Sequence, residues 1–285
     1  MTTDSERPII PHMPSPSPQS SGRVIRRGVR AALVALVLTQ LSCLELTEVK
    51  PTDVALITTE AVDGGGTVGL RVSGLFVRIT NISIDIGDPE NCWDLPYTTS
   101  SSSGANVTID AGGALTATVS GNSQTVSRRT VFGQYSYPAP ATLLDYTPGD
   151  TLVVDVPGAT GGFVATQIAL RTAETLAMTP VTVPPPGSPM NLAWTAAAVP
   201  GSVLTVSLRY PATGAGGGTR QVYCVFSDDG GASVPAFLLT PFLAADPEER
   251  TMVFTRVRIN VSELGGRTRA VTYAYYALPL PQAVE

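Results

Sequence analysis

Histidine is almost missing from this chain: 285 residues contain one, His12. It falls in a Pro- and Ser-rich stretch ahead of an export-type segment. The remainder therefore cannot build a Ser-His-Asp or Cys-His nucleophilic pair, nor a His-ligated zinc or iron site. Lysine is nearly as scarce. Lys50 stands alone, so Lys-based catalysis has no candidate deep in the chain. Charged residues make up 14%, against about a quarter in ordinary soluble proteins. The run Ala31–Leu38 is apolar but far short of the roughly 20 residues that span a bilayer. No Walker loop is present. Gly214-Ala215-Gly216-Gly217-Gly218 lacks the lysine and the following helix, and is expected to be a flexible hairpin loop.

What is abundant is glycine (27), proline (24), serine, threonine and β-branched residues, with 43% hydrophobic positions. That mixture suits short strands joined by turns and suits long helices badly. The length predicts two domains of ordinary size. The formal net charge is −5. Five arginines and two acids precede Cys43, so the chain from Cys43 onward carries 13 basic against 21 acidic groups, a net of −8. An acidic body repels phosphate backbones, so no nucleic-acid partner is expected. The basic pairs Arg128-Arg129, Arg256/Arg258 and Arg267/Arg269 read as solvated strand faces and loop tips.

Residues 1–22 have no apolar period and are expected to be a disordered leader. Residues 23–42 read as a signal peptide. Arg23, Arg26, Arg27 and Arg30 supply the positive region, and Ala31–Leu38 the apolar one. Thr39-Gln40-Leu41-Ser42-Cys43 then resembles a bacterial lipoprotein signal. The resemblance implies cleavage before Cys43, its acylation, and attachment to a membrane surface through lipid. Gln40 departs from the pattern, which prefers leucine there. Two or more acyl chains would make such an anchor stable, at about 0.8 kcal/mol per buried CH₂.

After the leader, strand signals recur at short spacing. Ser202–Tyr210 places Leu204, Val206, Leu208 and Tyr210 on one face and Thr205, Ser207 and Arg209 on the other, as a half-buried strand requires. Thr251–Ser262, Arg220–Ser227 and Ala270–Ala277 alternate likewise. Leu70–Ile79, Ile82–Ile86, Asn106–Asp110, Leu115–Ser120 and Thr151–Val156 are also predicted strands. A bulge is expected near Asn81, and a hairpin turn at Asp110-Ala111-Gly112-Gly113. One short helix is predicted at Pro235–Thr240, capped by Ser233.

Pro184-Pro185-Pro186 locks the backbone into an extended form and marks a boundary. The expected fold class is all-β, with two sandwich lobes: 44–180, then a Pro-rich linker at 181–187, then an immunoglobulin-like lobe at 188–285. The second lobe runs Asn191-Leu192-Ala193-Trp194-Thr195, the alternating strand Val203–Tyr210, Val222–Gly230 with Cys224 and Asp228-Asp229-Gly230, then Val234-Pro235-Ala236. This order resembles a group of secreted or lipid-anchored bacterial β-sandwich proteins that carry an earlier cysteine, here Cys92, in the first half. The resemblance implies an extracytoplasmic sandwich and no particular activity.

Four sets of side chains are candidates for chemistry. Cys92 and Cys224 form a disulfide in an oxidising compartment, or remain as two buried thiols. Asp85, Asp88, Glu90 and Asp94 surround Cys92-Trp93, and Asp228-Asp229 precede Gly230. Such acids serve as turn residues, as oxygen ligands for Ca²⁺, or as a glycosidase pair. Neither group has calcium-loop spacing, so no metal and no other cofactor is expected. Trp93 could stack on a sugar ring, while Trp194 suits a core position. Tyr273, Tyr275 and Tyr276 lie close together on a late strand, where they form an aromatic platform or pack across the sheet. Asn81, Asn106 and Asn260 head glycosylation-type triplets.

The sequence therefore predicts a non-enzymatic envelope lipoprotein on the periplasmic or extracellular membrane face, with a structural or protein-binding role. The alternatives are a carbohydrate-binding module built on Trp93 and the strand tyrosines, and a hydrolase that works with carboxylates alone. Partners would be the membrane, through lipid, and an envelope protein or glycan.

Overall fold

The structure is a computed structural model, and it describes residues 52–63, 68–79, 87–97, 107–212 and 218–280. Cys43 and the whole leader, the predicted strand Ile82–Ile86 with the bulge at Asn81, and residues 213–217 of the glycine-rich loop lie outside the described residues.

The described chain is mostly strand. The elements are β1 (Thr52–Asp63), β2 (Val68–Ile79), β3 (Asn91–Pro96), β4 (Val107–Thr108), β5 (Ala114–Val119), β6 (Asn122–Ser127), β7 (Arg129–Val131), β8 (Gln134–Ser136) and β9 (Leu144–Asp145). They continue as β10 (Thr151–Val156), β11 (Thr166–Arg171), β12 (Met190–Ala193), β13 (Val203–Pro211), β14 (Thr219–Ser227) and β15 (Gly231–Val234). Helix α1 (Ala236–Ala244), a 3-10 turn (Pro247–Glu249), β16 (Thr251–Gly265) and β17 (Thr268–Leu280) complete the order.

Nine strands form the large sheet, in the order β3-β14-β13-β16-β17-β1-β2-β4, with β9 also on β2. A second sheet runs β11-β10-β5-β6. All named pairs in the large sheet are antiparallel except β1 with β17. Strand β1 was not among the predicted strands, for a physical reason. It sits between β17 and β2, and Val54, Ala55 and Ile57 are fully buried, so its apolar residues run together instead of alternating.

One face of the large sheet carries the main core. Ile57, Val72 and Phe76 join Leu115, Leu152 and Ile168 of the four-stranded sheet in a single cluster. Gly74 leaves room for the close approach of the second layer, since a Cβ there would stand 2.9 Å from Leu115 Cδ1. Farther along the same face, Leu204, Val222 and Cys224 share that cluster with Met190, Val234, Leu239 and Phe242. Phe242 of α1 meets Tyr210 edge to face at 6.3 Å. The opposite face holds a smaller apolar cluster, Val54, Val77 and Val271, with Leu56, Leu75 and Ile259 against it.

The residues from Lys50 onward make one compact unit. Strands from both sides of 181–187 share the large sheet: β1–β4 come from one side and β13, β14, β16 and β17 from the other. The segment 188–285 thus does not close on itself as an immunoglobulin-like lobe. Its strand β17 is extended in parallel by β1, and β14 is edged by β3.

Two local expectations are also corrected. Asp110–Gly113 is not a hairpin, because β4 pairs with β2 whereas β5 pairs with β6 and β10. It is a sheet-to-sheet connection, in which Asp110 Oδ1 accepts from Gly112 N at 2.9 Å. Helix α1 is longer than predicted, and Ser233 belongs to β15. Its N-cap is Pro235, with no side-chain cap.

Candidate functional site

Strand β3 is an edge strand held by β14, and the register places Cys92 opposite Cys224. The two sulfurs are bonded. The bond closes a sequence separation of 132 residues, tying the edge to the body of the sheet. Because side chains alternate, Cys92 and Asp94 face the core side. Trp93 faces the other way, opposite Tyr223, and their rings stack at 6.3 Å between centroids and 26° between planes. On the same sheet face, Arg209 of β13 lies 4.1 Å over the Tyr97 ring, a cation–π contact.

The acids around this edge are engaged one by one. Asp94 Oδ1 accepts from Tyr210 Oη at 2.8 Å and from Arg220 Nε at 3.0 Å. Burial raises the Tyr210 hydroxyl pKa, and the hydrogen bond to Asp94 adds to it. Glu90, at φ +66°, accepts from Ser227 N at 2.8 Å. Asp88 is exposed, and Asp229 turns onto its own loop at Gly231 N, 3.4 Å away.

Asp228 is unlike its neighbours. Its side chain and that of Arg256 are each 3% exposed. Oδ2 lies 2.7 Å from Arg256 Nε, close enough to pair but poorly aligned for a hydrogen bond. Nη2 donates to Oδ1 at 2.9 Å. Trp194 Nε1 donates to Oδ1 at 2.8 Å and Ser202 Oγ to Oδ2 at 2.6 Å. Arg256 also donates to the carbonyls of Thr175 and Thr195. Burial pulls the Asp228 carboxyl upward, but the hydrogen bonds from Arg256, Ser202 and Trp194 outweigh it and hold the pKa below the usual carboxylate value. Trp194 is in the core, 6% exposed.

The five acids Asp88, Glu90, Asp94, Asp228 and Asp229 therefore do not converge on a cation. Among the described residues no group of three or more His, Cys, Asp or Glu could hold a metal ion. The pair Arg256/Arg258, expected on a solvated face, is corrected as well. Arg256 is buried and Arg258 half-buried. Both reach off β16 onto carbonyls of the 175–200 segment.

The late tyrosines divide between two faces. Tyr276 is on the core side at 7% exposure, which removes it from any platform. Tyr273 and Tyr275 lie on the Trp93 side, with ring centroids 5.3 Å apart. Both are half-buried. Burial, and then the neighbouring Tyr223 and Tyr275 hydroxyls, push Tyr273 up to about 12. The face is thus aromatic but only partly open.

A site outside these predictions is the hairpin β7–β8. Its two tip residues, Phe132 at φ +49° and Gly133 at φ +75°, form the doubly left-handed turn that asparagine-glycine normally supplies. A bulky residue there is strained, yet Phe132 is 101% exposed and Val131 beside it 42%. The base of the hairpin is firmly held. Gly74 and Tyr137 exchange two backbone hydrogen bonds at 2.8 and 2.9 Å. Tyr135 N donates to Thr108 Oγ1 at 2.9 Å, and Arg128 pairs with Asp110. Tyr137 is fully buried, and its hydroxyl donates to Gly112 O at 2.7 Å. A groove of about 280 Å³ runs beside the tip, between Leu75, Thr108 and Tyr135. The legible signal was Val131-Phe132-Gly133-Gln134, a two-residue turn with phenylalanine in the place of asparagine.

Comparison with protein-family models, with curated proteins and with solved structures finds no match for this chain. No described helix is long and apolar enough to cross a membrane.

Proposed function

We propose that this chain is an exported envelope lipoprotein, attached through Cys43, whose β-sandwich is a non-catalytic protein-binding module. The observation that carries the reading is Phe132. A rigidly based hairpin holds a large aromatic fully in water, at a backbone angle that costs free energy of order 1–3 kcal/mol. Among the described residues none covers the Phe132 ring to offset that strain, whereas an aromatic anchor entering a partner's pocket would, since such residues dominate binding energy at interfaces. Support also comes from the acids. Asp94 and Asp228 are each tied to an arginine and an aromatic donor, and Glu90 to a backbone amide, which suits structural roles.

The test is a photo-crosslinking phenylalanine analogue at position 132, expressed in the cells that make the protein, with position 237 of α1 as the exposed control. A single discrete adduct from position 132 is the expected result. No adduct, or the same smear from both positions, would sink the proposal.

A second reading, a glycan platform, is favoured by the Trp93–Tyr223 stack on the same sheet face as Tyr273 and Tyr275. Glycan-array binding by residues 44–285, abolished by Trp93→Ala, would establish it over the first.

A further inference from the structure

Two arginines, neither of them ion-paired among the described residues, meet at a cleft. The cleft, about 400 Å³, opens between the edge strand β11 and β16. It is lined by Arg171, Arg258, Asn260 and Thr151, with Leu170 and Ile259 among its apolar walls. Neither arginine has a carboxylate within ion-pairing distance among the described residues. Instead Arg258 Nη1 and Nη2 donate to the carbonyls of Pro200 and Val199, at 2.6 and 2.8 Å. Arg171 Nη1 donates to Gly149 O at 3.0 Å. Arg258 Nε is buried without a partner.

The nearby acids are already committed. Asp228 is paired with Arg256. Glu174 accepts from Ala198 N and Val199 N, each at 2.9 Å. Around Arg258 the like charges are Arg171 and Arg256, and the opposite ones are Glu174 and Asp228. Burial lowers the pKa of Arg258, and Arg171 and Arg256 lower it further against the pull of Glu174 and Asp228. A bound anion would relieve that stress.

We infer that this cleft binds a small organic anion, with Arg171 and Arg258 holding an oxyanion, Asn260 and Thr151 supplying further polar contacts, and the β11 part of the lining, Ala169 and Leu170, lying against an apolar group. Guanidinium groups suit this task because their planar donor array matches a carboxylate or phosphate. A pocket of mainly apolar walls with a few convergent polar groups is the usual form of a small-molecule site.

The experiment is NMR titration of residues 44–285, following the Arg Nε–Hε signals and the Asn260 side-chain amide. Hexanoate, inorganic phosphate and hexan-1-ol are the three probes. Hexanoate should shift the Arg171, Arg258 and Asn260 signals saturably, phosphate should do so more weakly, and hexanol should not. Arg171→Gln should weaken hexanoate binding by at least about tenfold, the loss of one charge-assisted hydrogen bond. Asn260→Asp, which adds a carboxylate to the same exposed rim, should abolish it and guards against a folding defect in the first variant. Absence of saturable shifts with both anions, or unchanged binding in both variants, would overturn the site. Equal binding of phosphate and hexanoate would overturn its organic part.

Discussion

Two arginine–aspartate pairs in this protein are built from similar parts and differ most in burial. At the sheet edge, Asp94 receives Arg220 and the hydroxyl of Tyr210. Under the loops at the other end of β14, Asp228 receives Arg256 and the indole of Trp194. The first pair has side-chain exposures of 37% and 30%, the second 3% and 3%. Water can replace either partner in the first. In the second, each charge has lost its hydration, and only the other charge and the surrounding donors compensate. The buried pair also joins three separate stretches of chain, through Thr175 O, Thr195 O and Ser202 Oγ. The exposed pair joins two strands that the disulfide already ties.

The largest effect should therefore come from breaking the buried pair. Asp228→Ala strands Arg256 in the core and is expected to cost about 3–5 kcal/mol in urea unfolding. The pH dependence has a definite sign. Asp228 has a lowered pKa in the folded state, so its contribution is present above the unfolded carboxylate value and is lost as pH falls through the folded one. Asp228→Asn should flatten the acid limb of the stability curve. An unchanged acid limb would mean that other carboxylates govern it.

Next in size is the staple beside the exposed pair. Replacing Cys92 and Cys224 together by serine opens a separation of 132 residues. The chain-entropy model puts that at about 5 kcal/mol, and measured losses run about 2–5. The midpoint should drop accordingly, and β3 amides should exchange faster than those of β13. Uniform exchange across both strands would show that the edge does not depend on its covalent link.

How far each region was legible tracks the same division between surface and interior. Strands half-buried on one face wrote themselves into the sequence. Val203–Pro211 and Thr219–Ser227 alternate and were found nearly to the residue. Strand β1 alternates in its burial from Ala55 to Ala61, but Val54-Ala55-Leu56-Ile57 is an unbroken apolar run and Thr59 and Ala61 then carry the inward face, so the period does not show in the sequence. Sheet membership was less legible still. That β17 takes β1 as a parallel neighbour depends on a contact between the two ends of the described chain, which no local pattern records. Trp194 was readable as a core residue from its place in a strand. The pairing of Arg256 with Asp228 was not, because an arginine alternating with valines looks the same whether its face meets water or another segment.

A third effect is smaller and has the opposite sign. Phe132→Asn places at the hairpin tip the residue its backbone angle favours. It should stabilise the protein by about 1 kcal/mol while it removes the proposed anchor. Higher stability together with loss of the crosslinked partner would mark a residue kept for binding. Lower stability would show that Phe132 packs on something in the folded chain.

The smallest effect is expected from Arg220→Gln, and its smallness is the sharpest form of the comparison. Arg220 gives Asp94 one hydrogen bond at 3.0 Å to Oδ1 and one at 3.3 Å to its carbonyl oxygen. When it is removed, Asp94 still accepts from Tyr210 and still meets solvent. The unfolding midpoint should not move measurably in ordinary salt, because exposed pairs gain little beyond what water offers each charge. A slight loss at low ionic strength should vanish as salt is raised. The buried pair should behave differently, since its charges lie beyond the reach of ions in solution. If Arg220→Gln proved as damaging as Asp228→Ala, burial would not be what separates the two pairs. The edge strand would then depend on charge pairing as much as on its disulfide.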